Sequence, residues 1–306
     1  MGGEEANFGN GPALPSLRVA IVGLGLMGGS LALALRDRVG YLCGVDRDEE
    51  TLAQALRRGI VDWATADLAA GVRDAQVVIL ATPVRVILDL LPRLGGLLSP
   101  GCALLDLGST KAAILQAMAR LPAHLHPIGG HPMCGRERSG LAAAEATLYE
   151  GCTFVLIPLA RTPPAALGLA QRLVQAVGAR PLVMDGSAQE AGLRHDRLVA
   201  AISHLPYALA VALAATAQEV GAADPLLWVL AASGFRDTSR LAGSDVTMMT
   251  DILLTNRGAV LEMLDRAQAH LDALREKLLR EDEHALRSWL TSVRAHRSPE
   301  AAKSVL

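Results

Sequence analysis

Aromatic residues are scarce in this chain: three Trp, three Tyr and three Phe make up 3% of its 306 residues. A stacking platform of the kind that holds single-stranded nucleic acid is therefore not expected. Cysteine is scarce as well. Cys43, Cys102, Cys134 and Cys152 form no C-x-x-C pair. Neither a disulfide framework nor a metal site is expected, and the thiols read as reduced ones in the cytoplasm. Neither sign of charge dominates, since 29 basic residues face 31 acidic ones for a formal net charge of −2. The basic residues are scattered, which argues against a nucleic-acid surface. No run of about 18 uncharged apolar residues is apparent, so no transmembrane helix and no membrane partner are expected. The alanine-rich stretch Leu205 to Ala217 falls short of that length. Residues 1–15 are rich in Gly, Asn and Pro and lack the basic-then-apolar order of a signal peptide, so they read as a disordered lead-in.

What is present is ample apolar material, 51% of the chain, and 29 glycines. Val19 to Val22 is a short β-branched run that reads as a buried strand. Gly23, Gly25 and Gly28 follow it in G-x-G-x-x-G spacing. Gly23 serves the tight turn, Gly25 leaves room for a pyrophosphate, and Gly28 lets the next helix pack closely. That helix, starting near Leu26 and Met27, aims free N–H groups and its positive dipole end at the phosphates. A second run, Tyr41 to Val45, ends in Asp46, eighteen residues after Gly28. A carboxylate there accepts hydrogen bonds from the adenosine ribose and disfavours a 2′-phosphate, which selects NAD. Arg47 beside it keeps NADP as an alternative. Thr82-Pro83, at the end of the run Val77 to Ala81, lies at the same kind of strand end and is counted with the cofactor site.

Strand and helix signals alternate from Arg18 to about Met184, which predicts a doubly wound, mostly parallel sheet. The texture then changes. From Ser187 to Arg294 strand signals vanish and helical spacing dominates. Ser187 to Val220 reads as one long helix kinked at Pro206. Leu261, Leu264, Ala267, Leu271, Leu274 and Leu278 form an apolar stripe. The expected fold is α/β: a Rossmann-like domain over 16–184, an all-helical domain over 185–294 that dimerises through its apolar faces, and a loose tail over 295–306.

Four stretches carry candidate chemistry. Ser109, in Asp106-Leu107-Gly108-Ser109-Thr110-Lys111, stands at a strand's carboxyl end, where it either caps the next helix or faces a ligand. His131, in Gly129-Gly130-His131-Pro132-Met133, reads as a residue on a glycine- and proline-fixed loop, with an imidazole suited to acid–base work. His195-Asp196 and Ser203-His204 put polar groups into an apolar helix, where they need partners, water or a ligand. Arg236, in Gly234-Phe235-Arg236-Asp237-Thr238-Ser239-Arg240, carries a fork suited to a carboxylate, or else lies on a solvated turn.

Together with Val-Gly-Leu-Gly-Leu-Met-Gly-Gly-Ser (22–30), these stretches make the chain, over about 17–290, resemble the prephenate/arogenate dehydrogenases of tyrosine biosynthesis. The resemblance implies NAD(P)-dependent oxidative decarboxylation, of prephenate to 4-hydroxyphenylpyruvate or of arogenate to tyrosine. It also implies a homodimer through the helical domain. His131 would be the proton acceptor at the ring hydroxyl, with Ser109 beside it and the nicotinamide. Arg236 would hold a carboxylate. His195, Ser203, His204 and Glu137 would line the substrate pocket. Arg136 and Tyr207 depart from common family choices near the side-chain end of the substrate, which leaves keto acid against amino acid open. A β-hydroxyacid dehydrogenase or imine reductase would need a lysine on the helical domain, and none lies between Lys111 and Lys277. A non-catalytic NAD-sensing protein would have little reason to carry both His131 and Arg236.

Overall fold

The structure is a computed structural model that describes residues 12–136 and 138–296. It has two compact units, Met1–Arg257 and Gly258–Leu306. Eight strands form one sheet: β1 Arg18–Val22, β2 Tyr41–Val45, β3 Trp63–Thr65, β4 Val77–Leu80, β5 Ala103–Asp106, β6 His126–Pro132, β7 Thr153–Pro158 and β8 Arg180–Val183. Their order is β3-β2-β1-β4-β5-β6-β7-β8. All neighbours are parallel except β6 and β7. Helices α1 Leu26–Leu35, α2 Glu49–Arg57 and α6 Pro164–Ala176 cover one face. Helices α3 Leu68–Val72, α4 Val84–Leu94 and α5 Ala112–Ala119 cover the other. Alternation within each strand divides the core: Val19 and Ile21 enter one layer, Ala20 and Val22 the second. The doubly wound sheet expected from the alternating signals is present.

The helical region follows as α7 Ala188–Val199, α8 Leu205–Ala223, α9 Leu226–Leu230, α10 Ser233–Ser239, α11 Val246–Thr255, α12 Arg257–Leu279 and α13 Glu283–His296. Just ahead of Pro206, a π-helical turn over Ala200–His204 joins α7 to α8. Pro206 follows that turn directly inside the helix, so the break in regular hydrogen bonding falls where the proline lacks its N–H. Ala188–Ala223 is thus continuous over 36 residues, long and apolar enough to cross a membrane by length and composition. This corrects the expectation of no such segment. Uncharged Ser, Thr and Gln interrupt its apolar runs in the sequence without adding charge. Within Gly258–Leu306, the stripe from Leu261 to Leu278 lies on α12 as expected, but Leu261, Leu271 and Leu278 are exposed.

One further difference concerns a short element. Leu14–Ser16 forms a 3₁₀ turn, so part of the lead-in is structured. The tail beyond His296 lies outside the described residues.

Candidate active site

Strand register places the functional loops at one sheet edge. Val22 pairs with Val45 and Leu80, and Leu80 pairs with Asp106. Leu105 pairs with Ile128. The carboxyl ends of β1, β4, β5 and β6 therefore line up, with Gly23, Thr82 and Gly108 just beyond the first three and His131 in the last residues of β6. Such an edge is where open α/β sheets bind ligands, at the switch between β1 and β4.

The glycine loop is built as its spacing suggests, with one change. Gly23 adopts φ +96°, and a β-carbon there would come within 2.7 Å of the Ala81 carbonyl oxygen. A β-carbon on Gly28 would overlap the Gly23 carbonyl, so Gly28 lets α1 pack on the loop and not on the strand. Gly25, the N-cap of α1, has open space where its side chain would stand, and no side chain caps the helix. Thr82 Oγ1 is buried beside this loop without a hydrogen-bond partner. An open helix N-terminus next to an unsatisfied hydroxyl suits a dinucleotide's pyrophosphate. Asp46 already orders the loop: its carboxylate accepts from Leu24 N at 2.7 Å and Asp48 N at 3.1 Å. Leu26 is buried, Met27 is half-buried, and Arg47 is exposed.

His131 belongs to β6, not to a loop. The stretch His-Pro-Ile-Gly-Gly-His-Pro hides a central strand, because its glycines serve packing. A β-carbon on Gly129 would meet Leu115 at 2.8 Å, and one on Gly130 would meet the Asp106 carbonyl. His131 Nδ1 lies 2.9 Å from His195 Nε2, and His195 Nδ1 lies 2.8 Å from Asp196 Oδ1. Asp196 also accepts from Lys111 N at 2.6 Å and Ala112 N at 2.9 Å. It thus caps α5 from α7. Ser109 is therefore not the N-cap; that position is Lys111 and its side chain does not cap. Asn256 Nδ2 donates to the Asp196 carbonyl at 2.7 Å and lies 3.2 Å from His204 Nδ1. Asp251 similarly accepts from Arg85 N at 3.2 Å in the first turn of α4.

Beneath His131, the Lys111 ammonium is paired with Asp106 and donates to the Gly130 carbonyl at 2.6 Å. Burial lowers the Lys111 pKa and raises that of Asp106, while their contact opposes both shifts. Burial, reinforced by His195, Lys111 and His204, holds the His131 pKa well below the ordinary histidine value. Burial also lowers His204 to about 4. His131 is thus a neutral base at neutral pH, held in a charged but satisfied network.

The structure brings His131, His195 and His204 into this network. Ser109 is half-buried at the same edge, whereas Ser203 is exposed on the π-helical turn. Arg236 is exposed on α10, and no polar partner engages its guanidinium among the described residues. Glu137 lies outside the described residues. Sequence reasoning missed Asp106, Lys111, Asp196 and Asn256 as members of the site. Asp196 and Lys111 carried a signal, since a charged residue in an otherwise apolar stretch must find a partner. Asn256 carried none.

Comparison with known proteins finds relatives over both parts of the chain. Residues 31–183 match the model for the prephenate dehydrogenase nucleotide-binding domain, and residues 192–292 that for the prephenate dehydrogenase dimerization domain. The prephenate dehydrogenase of Lactococcus lactis is 33% identical over 275 residues, covering 88% of this chain and 73% of that protein. The structure resembles that of prephenate dehydrogenase from A. aeolicus in complex with hydroxyphenyl propionate and NAD+, with a TM-score of 0.84, 32% identity and coverage of 94% and 99%. It also resembles Synechocystis arogenate dehydrogenase, with a TM-score of 0.77, 34% identity and coverage of 92% and 99%. With both domain models matched, and a relative 33% identical covered over 73% of its own length, the chain belongs to the prephenate dehydrogenase family.

Proposed function

We propose that this chain catalyses the NAD-dependent oxidative decarboxylation of prephenate to 4-hydroxyphenylpyruvate, in tyrosine biosynthesis. The observation that carries the reading is the imidazole of His131, backed by His195 and Asp196, at the sheet edge that also holds an open glycine loop. A bound nicotinamide would supply the oxidant, a two-electron acceptor for hydride from the ring carbon that bears the hydroxyl. His131 accepts the hydroxyl proton as that carbon becomes a carbonyl. It returns the proton to oxygen once loss of the ring carboxylate as CO2 has made the ring aromatic. Gly23, Gly25 and Gly28 with the α1 N-terminus hold the pyrophosphate, and Asp46 selects NAD by its place at the ribose. Ser109, His195, His204 and Ser203 orient the substrate, and the free guanidinium of Arg236 takes a carboxylate. Glu137 is assigned to the same pocket by family resemblance alone.

Arogenate is the second reading, with a dual-substrate cyclohexadienyl dehydrogenase between the two. Arg136, near the expected side-chain end, is neutralised by Glu145 at 2.7 Å. A guanidinium so engaged is less able to select a keto acid. NADH absorbance with prephenate and with arogenate in parallel decides between them, and turnover of neither removes the reading.

We place the boundary of the nucleotide-binding domain at Met184 and read the chain as a cytoplasmic homodimer. Exposed Leu193, Ile202, Leu226 and Val229 on the helical segments give the apolar surface that such an interface needs. Polar His195, Asp196 and His204 on the membrane-length helix are satisfied inside the protein, which favours a protein partner over lipid for its outer face.

A further inference from the structure

We propose that Asp196 is a positioning residue that selects which nitrogen of His131 is free to take the proton. This rests on the assignment of His131 as the base. Asp196 offers only acceptor oxygens, and three N–H donors converge on them: Lys111 N, Ala112 N and His195 Nδ1. The two backbone amides are fixed by the start of α5, so the carboxylate cannot turn away. His195 must then carry its proton on Nδ1 and present a bare Nε2 to His131. With that nitrogen bare, His131 must donate from its own Nδ1 across the 2.9 Å contact. The unprotonated nitrogen of His131 is then Nε2, the ring atom that no protein group in the described structure binds. The opposite polarity would set the lone pair of His195 Nδ1 against a carboxylate oxygen at 2.8 Å. The carboxylate also offsets charge when His131 becomes cationic, against His195, His204 and Lys111, which oppose it; Asp106 is consumed by Lys111.

One consequence is unusual for a side chain remote from the substrate. The same carboxylate that caps α5 sets the tautomer of a histidine on β6, so helix placement and base chemistry are a single arrangement. A purely structural cap would tolerate either tautomer.

The test is 15N NMR of the full chain with labelled histidine at neutral pH, His131 being assigned by its loss in His131→Asn. Nδ1 of both His131 and His195 is expected to be protonated, with Nε2 of each showing the unprotonated shift. A proton on His131 Nε2, or a doubly protonated His195, overturns the inference. In Asp196→Asn, kcat is expected to fall about 10- to 10³-fold, as when an orienting carboxylate behind a catalytic histidine is lost, with NADH binding retained. The acidic limb of the pH profile should move to lower pH, because the charge favouring the imidazolium is gone. Asp196→Glu should restore part of the rate. If Asp196→Asn keeps kcat and limb while His131→Asn is inactive, the positioning role falls alone. If His131→Asn keeps wild-type kcat, the base assignment falls with it. Should Asp196→Asn fail to fold, the wild-type spectrum still decides.

Discussion

At the scale of residues, the proposed reaction depends on a histidine that its surroundings keep neutral. The sequence suggests an acidic limb near the ordinary histidine pKa of about 6.5. The structure moves it down, since burial, reinforced by His195, Lys111 and His204, disfavours the imidazolium of His131. The base must be unprotonated in the free enzyme, so kcat/KM should stay flat through neutral pH and fall only well below 6.5. A limb centred at 6.5 or above in initial-rate measurements would contradict this. His131→Asn removes the proton acceptor and should cost about 10²- to 10⁴-fold in kcat, with NAD binding by fluorescence unchanged. Arg236 is a different case, because its guanidinium is exposed and its role is borne by substrate alone. Arg236→Lys replaces a fork with a point charge and should lower kcat/KM about 10- to 150-fold, by loss of a charge-assisted bond. Unchanged KM and kcat would return it to a surface role.

At the scale of elements, the entry to α1 separates two uses of glycine. Gly28→Ala would drive a methyl into the Gly23 carbonyl, where only backbone can yield. A destabilisation of about 1–3 kcal/mol or more is expected from such overpacking. Gly25→Ala meets nothing in the protein. Thermal stability should hold, while NAD affinity drops by roughly tenfold or more, about 1.4 kcal/mol, as the methyl occupies the phosphate's approach. Equal effects of both on melting and on NAD titration would refute the distinction. These glycines were legible because a positive φ and a close approach demand glycine whatever surrounds them. β1, β2, β4 and β5 were legible from apolar runs. β6 was not, since Pro127, Gly129, Gly130 and Pro132 imitate a turn; only its neighbours Leu115 and Asp106 explain its glycines. β3 and α3 are too short to carry a period. Asp196 was read only as a polar residue on a helix, because its partners sit 85 residues away at Lys111 N and 84 at Ala112 N. Long-range pairing of this kind leaves no local trace.

At the scale of the whole molecule, two properties await measurement. Many large apolar side chains stay exposed on the helices, among them Ile202 at 72% and Val229 at 78%. A homodimer burying more than about 2,000 Å² is expected. Sedimentation at micromolar concentration should give twice the mass of the 32.1 kDa chain. A stable monomer would contradict it. Stability should also depend on pH through His204. Its folded pKa of about 4 lies below the unfolded value of about 6.5, so the unfolded chain binds more protons between them. Stability is full above about pH 6.5 and is lost as pH falls toward 4, by on the order of 3 kcal/mol. Urea midpoints at pH 7.5 and 4.5 test this, and replacing His204 with Gln should flatten the difference. An unchanged slope would place the titration elsewhere.

The π-helical turn at Ala200–His204 sets a phase. His195 and His204 are nine residues apart, which in a regular α-helix at about 100° per residue would place them on opposite sides. One residue absorbed by the wider turn leaves an effective separation of eight and an offset of about 80°. His204 can then share Asn256 with the backbone of Asp196. Deleting any single residue between Val199 and His204 would therefore let the helix run regularly and keep the offset, while shortening the span by one rise. Inserting one would have either to double the bulge or to swing α8 round by about a further 100°. The segment should accept loss of a residue more readily than gain, an asymmetry that a library of one-residue insertions and deletions would expose.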